Sequence, residues 1–501
     1  MVCGEQGFLV TDRLTAAQLH DRAIVPGEPA ESAYRLLCSA VAIDPDFAQG
    51  WATVGHKLGD MGLNAASAAA YRRALECSPH ELGGLTDDLR AKTWCHLALR
   101  LHHLGRDWEA HIAAVTALEL DPTMAFAHTT LAMIWSRRGI DEEAVSHGRR
   151  AYDLDPTLPE NELGLAFSLL FAGCWAEGLR HFEARFAYKL RQYADWPYPK
   201  WQCGPVGTLL VVSEQGLGDA LSFARFVPLV VGCVVNVVFA VQPELVSLLS
   251  ACLPDVTVVP FPKVFPAVHA WVSVVSLPVV LGLTDEHIAA CPGLPVRGLY
   301  PRAGWQLPGR RFRIGICWAG SAANDIDKWR SMAGPEGFLR LLEVADVELY
   351  SFQIGARAAE LHTCGAVALI RDLSPWLTDC SAAASILQEM DLVITVETFL
   401  GHLAGFLGKE CWVLDSYRGG DYRIGRGGRP VLWYDKHRVF RQDVDAVWDP
   451  VWSRVVAALK EKVDGWRDKA VGRVGQPDRG AVSALHGTDG GDRGEAGDRA
   501  A

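Results

Sequence analysis

Asp219, Lys328, Arg330, Glu397, Thr398 and His402 are the side chains with which this sequence could do chemistry, and each lies just beyond an apolar run. The first follows a predicted strand, Thr208–Ser213, in the loop Glu214-Gln-Gly-Leu-Gly-Asp219. Gly216 and Gly218 are expected to permit tight backbone conformations and close approach of a ligand. A carboxylate projecting from the helix start at Asp219 could take a proton from an acceptor hydroxyl. The same position suits an ordinary helix-capping Asp. Residue spacing leaves both roles open.

Asp391 to Gly408 (DLVITVETFLGHLAGFLG) reads as a buried strand over Leu392–Val396, a polar turn at Glu397-Thr398 and a small-residue helix carrying His402. Unpaired N–H groups at that helix start attract anions, and ligands gather at the carboxyl ends of strands in open α/β sheets. A phosphate-bearing ligand is therefore expected. Thr398 and His402 are four residues apart and share one side of the helix. The plainer alternative is a sheet-packing helix with a Thr cap and a buried His. Beyond Ile314–Gly320, Lys328 and Arg330 could neutralise a diphosphate, or simply face solvent. Asp325 and Asp327 have the look of a metal-binding pair, but the adjacent cations oppose a divalent site, and no metal is expected. Gly216-Leu-Gly218-Asp-Ala-Leu221 lacks the third glycine of a dinucleotide fingerprint, so a dehydrogenase is disfavoured and no cofactor is expected.

Two architectures must position these residues. Pro45, Pro79, Pro122 and Pro156 lie 34, 43 and 34 residues apart, and small residues recur before them: Gly55, Gly62 and Ala74; Gly105, Ala110 and Ala117; Ala132, Gly139 and Ala151. This spacing is similar to that of tetratricopeptide repeats, so residues 1–191 are expected to stack as a helical solenoid, with the extra nine residues in a loop near Glu81–Asp88. After the connector at Trp196-Pro-Tyr-Pro, strands alternate with helices, which implies parallel sheets. The first set comprises strands at Thr208–Ser213, Val234–Val241 and Val256–Val259, with helices at Leu221–Val230 and Pro243–Cys252. The second comprises strands at Arg313–Trp318, Glu348–Phe352, Leu392–Val396 and Cys411–Leu414, with helices at Glu336–Glu343 and Ala382–Met390. The expected lobes are 205–300 and 312–465, joined by a linker at Arg302–Arg311. Residues 472–501, poor in large apolar side chains, are expected to be disordered.

Composition narrows the function. A net charge of −11 argues against non-specific nucleic-acid binding. Thirteen cysteines without a CxxC pair suit a reducing compartment. Val227 to Val241, the most apolar stretch, is broken by Asn236 and reads as strand rather than membrane span. A cytoplasmic protein, not integral to a membrane, is expected.

The motifs SEQGLGDALSFARFVPLV, GICWAG, VETFLGHLAGFLGK and RVFRQ, following such repeats, resemble bacterial repeat-containing glycosyltransferases whose catalytic part is akin to heptosyltransferases of glycosyltransferase family 9. The resemblance covers about residues 30 to 462. It implies a GT-B fold of two Rossmann-like lobes and metal-independent, inverting transfer of a sugar from a nucleotide-sugar donor to a hydroxyl of a protein or glycan acceptor. By the same resemblance Asp219 is the base, Lys328 or Arg330 contacts the donor phosphates, and Glu397, Thr398 and His402 bind the donor. Glu397 stands where the family has Asp, and Ile354 where repeat-linked relatives commonly have Lys. The competing expectation is a non-catalytic scaffold: repeats fused to a decayed transferase-like domain.

Overall fold

A computed structural model describes residues 15–77, 84–188, 190, 196–261, 267–296, 311–321, 327–425, 433–444 and 446–474. All but Arg311 of the predicted linker Arg302–Arg311, most of the predicted disordered tail, and Asp325 lie outside them.

The N-terminal part is a helical repeat solenoid resembling tetratricopeptide repeats. Its helices pair as Ala16–Ala23 with Ala30–Ile43, Ala48–Asp60 with Asn64–Glu76, Asp87–His103 with Asp107–Leu120, Ala125–Arg138 with Asp141–Leu154, and Pro159–Ala172 with Trp175–Phe182. Ala110, Ala114, Ala117, Ala127, Ala132, Ala144 and Ala151 are fully buried, and their small side chains let neighbouring helices approach closely. Each of the last four pairs turns through a glycine with positive φ, at Gly62, Gly105, Gly139 and Gly173. The long inter-repeat loop ends earlier than expected. Thr86 accepts the N–H of Leu89, so Asp87 and Asp88 already belong to the next helix.

The rest of the chain forms two parallel sheets. The first joins β1 (Thr208–Val212), β2 (Asn236–Val241), β3 (Thr257–Pro260) and β4 (Ala270–Ser273) in the order β3-β2-β1-β4. The second joins β5 (Phe312–Cys317), β6 (Val347–Ser351), β7 (Ile370–Asp372), β8 (Leu392–Val396), β9 (Cys411–Asp415) and β10 (His437–Arg441) in the order β10-β9-β8-β5-β6-β7. The order reverses between β1 and β4 and between β5 and β8, the places where an open α/β sheet leaves a crevice at its strands' carboxyl ends.

Three expected elements differ. The helix placed at Leu221–Val230 begins at Leu217, so that Asp219 falls within its first turn; after Phe223 it tightens into a 3-10 helix over Ala224–Val230, which contains Pro228. Glu336–Glu343 is likewise a 3-10 helix. The expected disorder from residue 472 begins no earlier than 475, because the closing helix Asp449–Val474 runs through it.

One apolar core continues through all three parts. It includes Leu170, Trp175 and Phe182 from the last repeat, Val211, Phe223 and Phe226 from the first lobe, and Val393, Leu403 and Phe406 from the second. The solenoid is thus built into the α/β part rather than tethered to it. A second core fills the far face of the larger sheet, where Val451, Trp452, Val455 and Leu459 of the closing helix cover it. No helix among the described residues is long and apolar enough to cross a membrane.

Candidate functional site

Four loops at strand carboxyl ends, after β1, β5, β8 and β9, meet where the two lobes touch. The loop after β1 leads into the helix Leu217–Phe223. Its positive-φ residue is Gln215 rather than a glycine. Gly218 has a different use: a Cβ there would stand 2.5 Å from His402 Cδ2, so the missing side chain admits the imidazole of the opposite lobe instead of a ligand. The backbone N–H of Gly216 donates to Asp219 Oδ2 at 3.0 Å. Asp219 Oδ1 lies 2.8 Å from Arg423 Nη1, an ion pair across the lobe boundary. One side chain therefore both caps the helix start and pairs with the opposite lobe.

His402 lies on the helix Phe399–Phe406 and is 6% exposed. Its Nδ1 is 3.1 Å from Ser222 Oγ and 3.0 Å from the Tyr434 hydroxyl, which is itself 2.7 Å from Ser222 Oγ. Nε2 faces Asp421 Oδ2 at 3.6 Å. Burial, reinforced by the positive charge of Arg423, pushes the imidazole down to about 3, so it is neutral and its contact with Asp421 is not a charge pair. Burial raises the Tyr434 phenol to about 12. Thr398 occupies the helix N-cap position, but its hydroxyl pairs with Thr395 Oγ1 at 2.9 Å and caps no backbone N–H, contrary to the plain capping expectation.

Glu397 is buried. Arg330 Nη1 donates to its Oε1 at 3.2 Å and the Gly420 N–H to its Oε2 at 3.1 Å. Burial and the neighbouring Asp421 raise this carboxyl to about 7 against the pull of Arg330. Arg330 also reaches Asp327 Oδ1 at 3.3 Å, and Ser331 Oγ donates to the same oxygen at 2.8 Å. Asp327 is thus committed to holding the loop after β5. Lys328 stands apart: its side chain is exposed, with Nζ 5.0 Å from the Trp329 ring. The Gln353 side chain shapes the same loop, accepting the Ala319 N–H at 3.0 Å, whereas neighbouring Ile354 is 58% exposed.

The loop after β9 was not singled out from sequence, yet it supplies the centre of the network. Arg423 Nε donates to Asp421 Oδ1 at 2.8 Å and its Nη2 pairs with Oδ2. Despite burial, Arg423 holds the Asp421 carboxyl well below the usual range, and the two acids hold the Arg423 guanidinium above its own. The available signal was the run Asp415-Ser-Tyr-Arg-Gly-Gly-Asp-Tyr-Arg423 immediately after an apolar strand, the same loop position as Asp219 and Glu397.

The solenoid holds two of these loops. Arg185, 3% exposed, donates to Glu214 Oε1 from Nε at 2.9 Å and from Nη2 at 2.6 Å, behind Asp219. On the other side, Arg418 donates to the Leu104 carbonyl at 2.8 Å and Arg441 to the Arg137 carbonyl at 3.1 Å. The Phe171 and Tyr422 rings meet edge-on. These contacts come from three successive repeats, each at or near its inter-helix turn.

No family model matches the chain. It is similar to Protein FlbA of Caulobacter vibrioides, 22% identical over 488 residues, which span 89% of this chain and 80% of that protein. Among solved structures, MamA from Desulfovibrio magneticus covers 36% of this chain and 96% of its own, at 16% identity and a TM-score of 0.29. YrrB, described as a TPR protein with an unusual peptide-binding site, covers 36% and 91%, at 15% identity and a TM-score of 0.28. These structural likenesses are slight, and the repeat assignment rests on the helix pairs and their glycine turns.

Proposed function

We propose that this protein is a glycosyltransferase with a GT-B arrangement of its two lobes. It moves a sugar from a nucleotide-sugar donor to a hydroxyl of a protein or glycan acceptor, in the cytoplasm and with inversion. The observation that carries this reading is the convergence of Asp219 from one sheet with His402, Glu397 and Arg330 from the other in one buried polar network. Asp219 takes the acceptor's proton. Arg330 and the N–H groups at the start of Phe399–Phe406 offset the charge of the leaving diphosphate, the work a metal would otherwise do. Neutral His402 and Thr398 orient the donor by hydrogen bonds, and the exposed Lys328 lies at the approach. The solenoid presents the acceptor.

One observation favours a second reading, a non-catalytic scaffold: both oxygens of Asp219 are engaged, and an apolar core joins the lobes. Thermal-shift measurements against a panel of nucleotide sugars separate the two. The transferase reading expects one donor to raise the melting temperature, by about 2.7 kcal/mol of stabilisation at a hundredfold excess over Kd. No shift across the panel favours the scaffold.

A further inference from the structure

Arg423 sits where a donor's phosphates would need a cation, yet it is spent on the protein's own acids. Its side chain is 5% exposed and lies between Asp421, its bidentate partner, and Asp219. Nη1 is 2.8 Å from Asp219 Oδ1 but lacks hydrogen-bond alignment, so a buried guanidinium nitrogen ends without a hydrogen bond. Such a group is costly to leave unsatisfied and marks a place for a further acceptor. Among the described residues, the guanidinium groups here are all held by carboxyl groups: Arg423 by Asp219 and Asp421, Arg330 by Asp327 and Glu397. A diphosphate would compete with these carboxyl groups for the guanidinium groups. The backbone allows Arg423 to shift, because Gly420 and Gly425, both at positive φ, bracket Asp421 to Ile424.

We propose that Arg423 is a ligand of the donor diphosphate, and that donor binding draws it from Asp219, where this structure has it, and so removes the cation from the base. This rests on the transferase reading above. With Arg423 on Asp219 Oδ1 and the Gly216 N–H on Oδ2, both carboxylate oxygens are occupied and neither is open to an acceptor hydroxyl. Once Arg423 turns to the diphosphate, Asp219 is free to act. The acceptor oxygen then bonds to the anomeric carbon while the bond from that carbon to the phosphate oxygen breaks. The hydroxyl proton passes to Asp219, and the departing electron pair leaves with the nucleoside diphosphate, beside Arg423 and Arg330. Donor therefore binds before acceptor.

The test is isothermal titration of the full chain with UDP, GDP, ADP and dTDP, each in turn. The wild type should bind one of them. Arg423→Gln should weaken that binding by about 10- to 100-fold, the worth of a charge-assisted hydrogen bond. Asp219→Asn, which frees the guanidinium from its competitor, should tighten it several-fold. Asp219 is the more exposed partner, so this variant remains informative if Arg423→Gln does not fold. Equal affinity in Arg423→Gln, or unchanged or weaker affinity in Asp219→Asn, overturns the proposal and leaves the transferase reading standing. Failure of the wild type to bind any of the four overturns both.

Discussion

The loops after β1 and β9 approach the same centre from opposite lobes, but the solenoid holds them in different ways. The loop carrying Asp219 is backed by a buried charge lock in which Arg185 donates to Glu214 Oε1, Ser273, Ser276 and Glu183. The solenoid holds the loop carrying Asp421 and Arg423 by separate contacts at its rim: two arginines on backbone carbonyls and one edge-on ring pair. A buried pair is destabilising to break, whereas single partly exposed hydrogen bonds contribute modestly. The acid is fixed, and the cation is on the side of the site that yields more easily.

The largest effect should come from the lock. Arg185→Met leaves Glu214 buried without its cation and should lower unfolding free energy by about 3–5 kcal/mol, read from the denaturant midpoint. A loss near zero would mean that the loop is held by packing alone.

Next is the pH response of Glu397, which anchors the second loop through the Gly420 N–H. In the folded chain its carboxyl titrates at about 7, raised from 4.5. Its stabilising contribution is therefore full below about 4.5 and is lost as pH rises through 7, a change on the order of 3 kcal/mol. Glu397→Gln should abolish that change, so the variant gains on the wild type between pH 5 and pH 8. His402, lowered to about 3, acts in the opposite sense as pH falls below 6.5, but it is common to both proteins and cancels in the comparison. Parallel stability curves would refute the assignment.

The rim contacts should matter less. Gly105 turns at φ +75 against the Arg418 guanidinium, so Gly105→Ala adds backbone strain and displaces that arginine. A loss of about 1–2 kcal/mol in thermal unfolding is expected. Arg418→Ala, which removes the bond to Leu104 and the stacking on Trp329 at 4.6 Å, should cost about 1 kcal/mol. Losses as large as that of Arg185→Met would erase the distinction between the loops.

What could be read from sequence follows the same physical lines. Leu392–Val396 was legible because every residue of the strand is buried and all but Thr395 are apolar, and the repeats because glycine turns and alanine contacts recur along the chain. β4 and β7 are only four and three residues long, and β10 carries His437, Arg438 and Arg441, so none shows a sustained apolar run. Asp219, Glu397 and His402 stood out through motif and spacing. Asp421 and Arg423 did not, because a glycine-rich polar loop reads as exposed surface until the repeat turns that cover it are known. Gly218 was seen as needed, but for a ligand; only the fold shows that the space belongs to His402.

The central claim is that Asp219 accepts a proton during sugar transfer, and a transfer assay tests it most directly. Purified wild-type protein and Asp219→Asn are incubated with radiolabelled nucleotide sugars and a cell lysate, and label is followed into protein and glycan. The account predicts incorporation by the wild type and none above background by the variant, with donor binding retained. Equal incorporation by both proteins would contradict it.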